Sequence, residues 1–370
     1  MYFIGLISGT SMYAVDCALV EYSNELLTLI DYQQYPIKQE IHVELKSINK
    51  TSTIEIVTRQ DVILGKLFAN AALDIIRKCR LEPEQIAAIG CHGQTILHHS
   101  EQPDATSLQI GDPNIINELT GIPTVADFRR MDLAAGGEGA PLAPILHALI
   151  LRDQTEDRVV LNIGGMANIT VLPSDPALSI TGFDTGPGNV LMDEWVNQHL
   201  HQPMDTDGLW AASGKVDISF LNTLMADNYF KLQPPKSTGR DYFNLEWLTG
   251  KILEYGQTLS PVDVQASVTE LTTQTVTDAI KNYAGHIQTI IVCGGGAHNS
   301  FLIKSLQKHL PDCTIASSKE YGIDPDAIEA MTFALLAQRR LNNLPGNIPT
   351  VTGANHECVL GAIYCSRKAT

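Results

Sequence analysis

Positive charge is scarce in this sequence. Its 25 lysines and arginines stand against 41 aspartates and glutamates, a formal net charge of −16 at pH 7. Such a chain repels polyanions, which argues against nucleic acid or an anionic membrane as generic partners. Any anionic ligand must be held by backbone amides and a few placed cations. Long apolar runs are lacking as well; nothing approaches the ~18 residues of a membrane span. The opening stretch Met1–Ser8 has no basic flank and reads as a strand, not as a signal peptide. Paired cysteines are missing: the seven, at 17, 79, 91, 293, 313, 358 and 365, are odd in number and form no CxxC. That excludes zinc-ribbon and thioredoxin readings and suits a reducing, cytoplasmic compartment.

With 370 residues, 44% of them apolar, the chain has length for about two or three ordinary globular domains. Strand-type segments Phe3–Ser8, Asp16–Tyr22 and Leu27–Tyr32 open it, the first two separated by the turn Gly9-Thr10-Ser11. Helical spacing runs over Ile54–Cys79, with Gly65 as a weak point. A short strand Ile86–Cys91 then ends in His92-Gly93-Gln94-Thr95. Asp112-Pro113 has the chemistry of a helix start, aspartate as cap and proline at the first helical position. Similar grammar restarts at Arg158–Ile163, Asn168–Leu172 and Ser179–Phe183. A helix over Val262–Tyr283 and a strand over Ile287–Cys293 follow. The last helix reads as Pro325–Leu341 with Asp324 as its cap. Two α/β halves that repeat in architecture, though not in sequence, imply mixed sheets faced by helices.

Three glycine turns follow strands: Ser8 to Ser11, Gly164 to Asn168, and Gly294-Gly295-Gly296 to Asn299. Each is equally an ordinary tight turn. Together they point to a nucleotide, because glycine lets backbone amides approach phosphate. Two familiar nucleotide motifs fail. Gly208 to Val216 has one residue too many for a P-loop, and valine stands at its magnesium position. The Gly294 triplet lacks GxGxxG spacing. Asp184, read as the end of a strand before Thr185-Gly186-Pro187-Gly188, is placed either to take a proton from a bound hydroxyl or water, or merely to cap a turn. Arg129 is suited to a carboxylate, with Asp127 beside it, unless the two form a surface ion pair. Glu329 is either the wet edge of the last helix or a cleft residue. His92, His98 and His99 have no matching ligand spacing and read as structural or solvent-facing.

These stretches, with Ala135 to Leu142, Asn162 to Asn168, Gly182 to Asn189, Ser237-Thr238-Gly239-Arg240-Asp241-Tyr242-Phe243-Asn244, Cys293 to Asn299 and Leu344 to Ala354, resemble the anhydro-N-acetylmuramic acid kinase family in unbroken order over nearly the whole chain. The resemblance implies a two-lobed actin-like ATPase fold with ribonuclease-H-like sheets and an interlobe cleft. Residues 1–130 and 355–370 would form one lobe and 131–354 the other. It implies an enzyme that uses ATP and Mg²⁺ to open an anhydro-amino sugar and phosphorylate it, and a homodimer. By resemblance Asp184 is the base. Gly9, Thr10, Ser11, Met12, Tyr13, Ala14, Val15 and Asp16 surround the ATP phosphates, with Gly165, Asn168, Gly186, Gly294, Gly295 and Gly296. Thr95, Arg129 and Glu329 hold the sugar and its lactyl carboxylate; the metal ligands stay unknown. One departure stands out. The family's first loop carries Asp-Gly where this chain has Tyr13-Ala14, which removes a carboxylate and places a Cβ where glycine would permit positive φ. A sugar- or nucleotide-binding sensor that retained the fold, and a kinase of another sugar, remain open alternatives.

Overall fold

The computed structural model describes residues 1–9, 12–49, 51–100 and 103–366, so Thr10 and Ser11 lie outside the described residues. The chain divides into Met1–Ile150 with Ala327–Thr370, here unit 1, and Leu151–Asp326, unit 2. The division falls after Ile150 and the return at Ala327, not at 131 and 355. The helix Ile328–Leu341 therefore belongs to unit 1, because it packs on that unit's sheet.

In unit 1, β1 (Tyr2–Ser8), β2 (Ala14–Ser23) and β3 (Leu26–Pro36) form an antiparallel meander. β4 (Ile86–His99) runs parallel to β1, β5 (Thr106–Ile110) pairs antiparallel with β4, and β6 (Thr124–Ala126) lies parallel to β4. Ile4, Leu6, Val15, Cys17 and Leu19 alternate onto one face of the sheet, where they pack with Leu64, Phe68, Ala72 and Ile75 of the helix Ile54–Lys78. Gly65 suits this helix: a Cβ there would meet the Asp112 carbonyl at 3.0 Å. Asp112 does cap the helix Pro113–Thr120, accepting from the Asn114 amide at 2.8 Å.

Gly5 and Gly90 are partners in the β1–β4 register. A Cβ at Gly5 would lie 1.7 Å from the Ala330 carbonyl oxygen, and one at Gly90 would lie 1.9 Å from that of Phe333. The two glycines make a bare patch on which the backbone of helix Ile328–Leu341 rests. This helix does not start at Pro325 as its sequence suggests. Asp324 accepts from the Asp326 amide in a local turn, and the Pro325 carbonyl is taken by the Gly294 amide at 3.0 Å.

Unit 2 repeats the plan. β7 (Arg158–Ile163), β8 (Met166–Leu172) and β9 (Thr181–Pro187) form a meander, and β10 (Thr289–Cys293) runs parallel to β7 with β11 (Thr314–Ser317) beyond it. The order is β11-β10-β7-β8-β9. In the first sheet it is β12-β6-β4-β1-β2-β3, where β12 (Ala362–Tyr364) closes the edge antiparallel to β6. The second sheet reads third, second, first, fourth, fifth, and the first reads third, second, first, fourth with β6 in the fifth place, the duplicated ribonuclease-H-like arrangement. Val264, Val268, Leu271, Val276 and Ile280 of the helix Pro261–Tyr283 pack into the core of unit 2. The P-loop look-alike is an ordinary helix, Leu209–Ser213, whose first amides, at Trp210 and Ala211, are capped by Asp205.

Candidate active site

Asp184 lies inside β9, not after it, because pairing continues to Gly186 opposite Ala167 and Pro187 opposite Met166. Asn168 is its register partner, next to an irregularity between Ala167 and Asn168. Three groups hold the residue. Its amide donates to the Lys236 carbonyl at 3.1 Å, its carbonyl accepts from the Tyr229 hydroxyl at 2.7 Å, and Oδ2 accepts from the Thr238 amide at 3.0 Å. The carboxylate partner is 54 residues away. Asp184 thus stands within the sheet and is held by a distant segment. Ser237 and Thr238 open the motif that sequence reading left without a role; with Lys236 before them they run along the outer edge of β9, where the Thr238 amide grips the carboxylate. Lys236 is half-buried, with Nζ 4.7 Å from the Tyr229 ring centre. Burial pushes its ammonium below the ordinary lysine value, and Asp184 opposes that shift.

The glycine stretches of unit 2 converge on Ile163. The amides of Gly188 and Val190 donate to the Gly165 carbonyl at 2.9 and 3.2 Å, and that of Asn189 to the Gly164 carbonyl at 2.8 Å. A Cβ at Gly294 would meet Asn162 Oδ1 at 2.5 Å, and one at Gly296 would meet the Ile163 side chain at 2.3 Å. Packing accounts for these two glycines. Gly295 differs: it is exposed, and a Cβ there would find only Asn189 Nδ2, at 3.7 Å. It opens the 3-10 turn Gly295–His298, whose first N–H groups have no acceptor within the turn. Gly186, at φ 151°, is instead hemmed in by Phe230.

In unit 1, a Cβ at Gly9 would meet nothing within 4 Å, and its carbonyl accepts from the Met12 amide. Positive φ falls on Met12, at 59°; Ala14 simply opens β2, so the feared strain at Ala14 is absent. Tyr13 does not take the place of a carboxylate. Its ring stacks on His42 at 4.3 Å between centres, with Lys46 Nζ 5.5 Å from the Tyr13 ring centre. Val15 is buried in the core. Asp16 accepts from the Tyr32 hydroxyl at 2.5 Å and from Gln34 Nε2 at 3.0 Å, both on Oδ1. Asp16 is half-buried, and these two contacts turn its carboxylate toward β3.

Arg129 is not paired with Asp127. The latter, at φ 63°, takes a bidentate grip from Arg130 at 2.7 and 2.5 Å. Arg129 donates Nε–H to His92 Nε2 at 2.9 Å and Nη1–H to the Gly139 carbonyl at 2.7 Å. His92 Nδ1 faces the Gly93 carbonyl at 3.1 Å. A carbonyl only accepts, so the proton sits on Nδ1, and Nε2 is the acceptor Arg129 needs. Burial first, and the Arg129 charge second, hold His92 well below the ordinary histidine value. The ring is pressed at 4.5 Å against Phe333, one turn beyond the exposed Glu329. His98 and His99 lie in β4 and pair with Ser107 and Thr106 of β5. Thr95, on the same strand, accepts from Gln109 at 3.3 Å. Sequence reading missed Asp132. Fully buried, it accepts from Gly139 N, Asn347 Nδ2 and Thr352 Oγ1, the last two more than 200 residues away.

Two sheets that share the order of their first four strands define an α/β fold of the actin-like ATPase and sugar-kinase kind. The chain belongs to the anhydro-N-acetylmuramic acid kinase family, whose model matches residues 1–366, and it is a kinase. Curated relatives called anhydro-N-acetylmuramic acid kinase include that of Coxiella burnetii, 46% identical over 99% of this chain and 98% of its own. That of Saccharophagus degradans is 45% identical over 98% of both chains, and that of Pasteurella multocida 43% over 100% and 98%. Among solved structures, the activator of 2-hydroxyisocaproyl-CoA dehydratase from Clostridium difficile with bound ADPNP aligns over 93% of this chain and 96% of its own at 14% identity, TM-score 0.46. The ROK hexokinase of Thermus thermophilus aligns over 91% and 100% at 14% identity, TM-score 0.35. No helix among the described residues is long and apolar enough to cross a membrane.

Proposed function

We propose that this kinase opens 1,6-anhydro-N-acetylmuramic acid with water and phosphorylates its O6 from ATP, giving N-acetylmuramic acid 6-phosphate and ADP in the recycling of cell-wall peptidoglycan. The observation that carries this reading is the Asp184 carboxylate fixed through Oδ2 by the Thr238 amide. That amide orients the carboxylate before any substrate arrives. Asp184 removes a proton from water as the water oxygen bonds to the anomeric carbon. The bond from that carbon to O6 breaks, and O6 takes the γ-phosphoryl group in place of the proton that a second carboxylic acid would supply in an ordinary inverting glycosidase. One carboxylate therefore suffices.

Thr95, Arg129 and Glu329 take the sugar in this reading, with Arg129 on its lactyl carboxylate. Gly9 to Asp16, Gly165, Asn168, Gly186 and Gly294 to Gly296 surround the nucleotide. Asp16 would be among the residues that hold a hydrated Mg²⁺, whose chemistry there would be charge neutralisation of the phosphates. A cytoplasmic homodimer completes the proposal.

The test is turnover in ¹⁸O-labelled water. One label at C1 of the phosphorylated product is expected. Phosphorylation without label removes the coupled hydrolysis. Nucleotide binding without product supports a binding protein instead.

A further inference from the structure

We infer that Asp132, with Asn347 and Thr352, is a positioning device that sets the angle of Arg129 toward an acidic group of the substrate. The inference rests on the reading of Arg129 as the holder of that group. Asp132 is fully buried and its carboxylate is served by neutral donors: Asn347 Nδ2 and Thr352 Oγ1 on Oδ1, each at 2.7 Å, and the Gly139 amide on Oδ2 at 2.8 Å. A buried charge of this kind is poor evidence of stabilisation, since apolar residues of the same volume do as well. It does impose geometry. Gly139 is gripped at both ends, its amide by Asp132 and its carbonyl by Arg129 Nη1.

The surrounding chain is shaped for this contact. A Cβ at Gly137 would fall 2.3 Å from Asp132 Oδ2, so only glycine passes there. The Glu138 amide donates to the Thr352 carbonyl at 2.7 Å, and the Asn355 amide to that of Ala135 at 2.8 Å. The glycine loop 136–139 is thereby stapled to the segment 347–355. Arg129 is held on one side by that loop and on the other by His92, so its guanidinium plane is fixed before any ligand arrives. Pre-setting a fork-shaped donor favours a planar carboxylate over a neutral group.

The experiment compares dissociation constants, by calorimetry with ADP present, of the acid 1,6-anhydro-N-acetylmuramic acid and its neutral counterpart without the lactyl ether. A ratio of two constants from one preparation does not depend on the folded fraction. Asp132→Asn is expected to reduce the preference for the acid about 10-fold, and the milder Thr352→Val about 3-fold. Asp132→Glu, which keeps the charge, recovers part of the loss. Arg129→Ala is the control on the underlying reading. If it abolishes the preference while Asp132→Asn and Thr352→Val leave it intact, the positioning role is overturned and the reading of Arg129 stands. If Arg129→Ala leaves the preference intact, the reading itself falls, and this inference with it.

Discussion

Gly90→Ala should damage both stability and substrate binding, and the structure sets the scale. The new methyl carbon would sit 1.9 Å from the Phe333 carbonyl oxygen, 2.7 Å from its carbonyl carbon and 3.1 Å from Ala337 Cβ. The nearest atoms are helix backbone, which cannot rotate aside. Restoring ordinary contact requires the helix Ile328–Leu341 to retreat by roughly 1.5 Å, and gaps of that size forfeit half or more of the dispersion contacts beneath it. Inserted core atoms usually cost 1–3 kcal/mol; the upper end, ~3 kcal/mol, applies here. For a body of this size that lowers Tm by roughly 6–12 °C. The same retreat moves Phe333 off His92, and His92 fixes Arg129 at 2.9 Å. In the proposed reading Arg129 holds the substrate, and a displacement near 1 Å in such a group can cost up to ~100-fold. Calorimetric melting and KM for the acidic sugar are the assays. A variant that melts within a degree or two of the parent with unchanged KM refutes the reasoning, because it means the helix moves without loss.

Asp184→Asn should nearly abolish turnover while ATP still binds; near-normal turnover would reduce Asp184 to a structural strand residue. Tyr229→Phe strips the donor from the buried Asp184 carbonyl and should cost about 1–3 kcal/mol in urea unfolding, with a lower kcat. Gly250→Ala lies in the helix Leu245–Tyr255, where a Cβ meets nothing within 4 Å, and should stabilise by about 0.5–1 kcal/mol; a destabilised variant would contradict that packing. Acid should loosen unit 1. Burial lowers His98 to about 4 and His147 to about 3. The unfolded chain therefore binds more protons below pH 6.5, and stability falls as pH drops from there toward those values. A single such histidine contributes roughly 1.4 kcal/mol per pH unit in that window. His147→Leu should flatten the slope of unfolding free energy against pH by about one proton; an unchanged slope would show that His147 titrates normally.

Much of this fold can be read from local chemistry. The meanders announce themselves through alternating apolar residues and glycine turns, and Asp112-Pro113 starts its helix as such a pair should. Reading fails where a distant group claims a local one. Asp324-Pro325 has a helix-start signature, yet Gly294 takes the Pro325 carbonyl, and the helix waits until Ile328. Asp184 sits in a glycine-rich turn sequence, yet pairing with β8 keeps it in the sheet. His92 resembles an idle histidine until Arg129 is seen against it. Asp132 carries no local signal at all, because its partners Asn347 and Thr352 are brought to it only by folding.

The strand that carries Asp184 is the outermost of its sheet, and its free side is met by the segment Lys236 to Thr238 rather than by another strand. A carboxylate on an inner strand would be tied to the hydrogen-bond ladder on both sides, and altering its surroundings would mean rebuilding the sheet. Here the surroundings are a connecting segment. In the proposed reading, changes within residues 229–240 would thus retune acidity and substrate fit around Asp184, so that new sugar specificities become accessible in small steps without a refolded core.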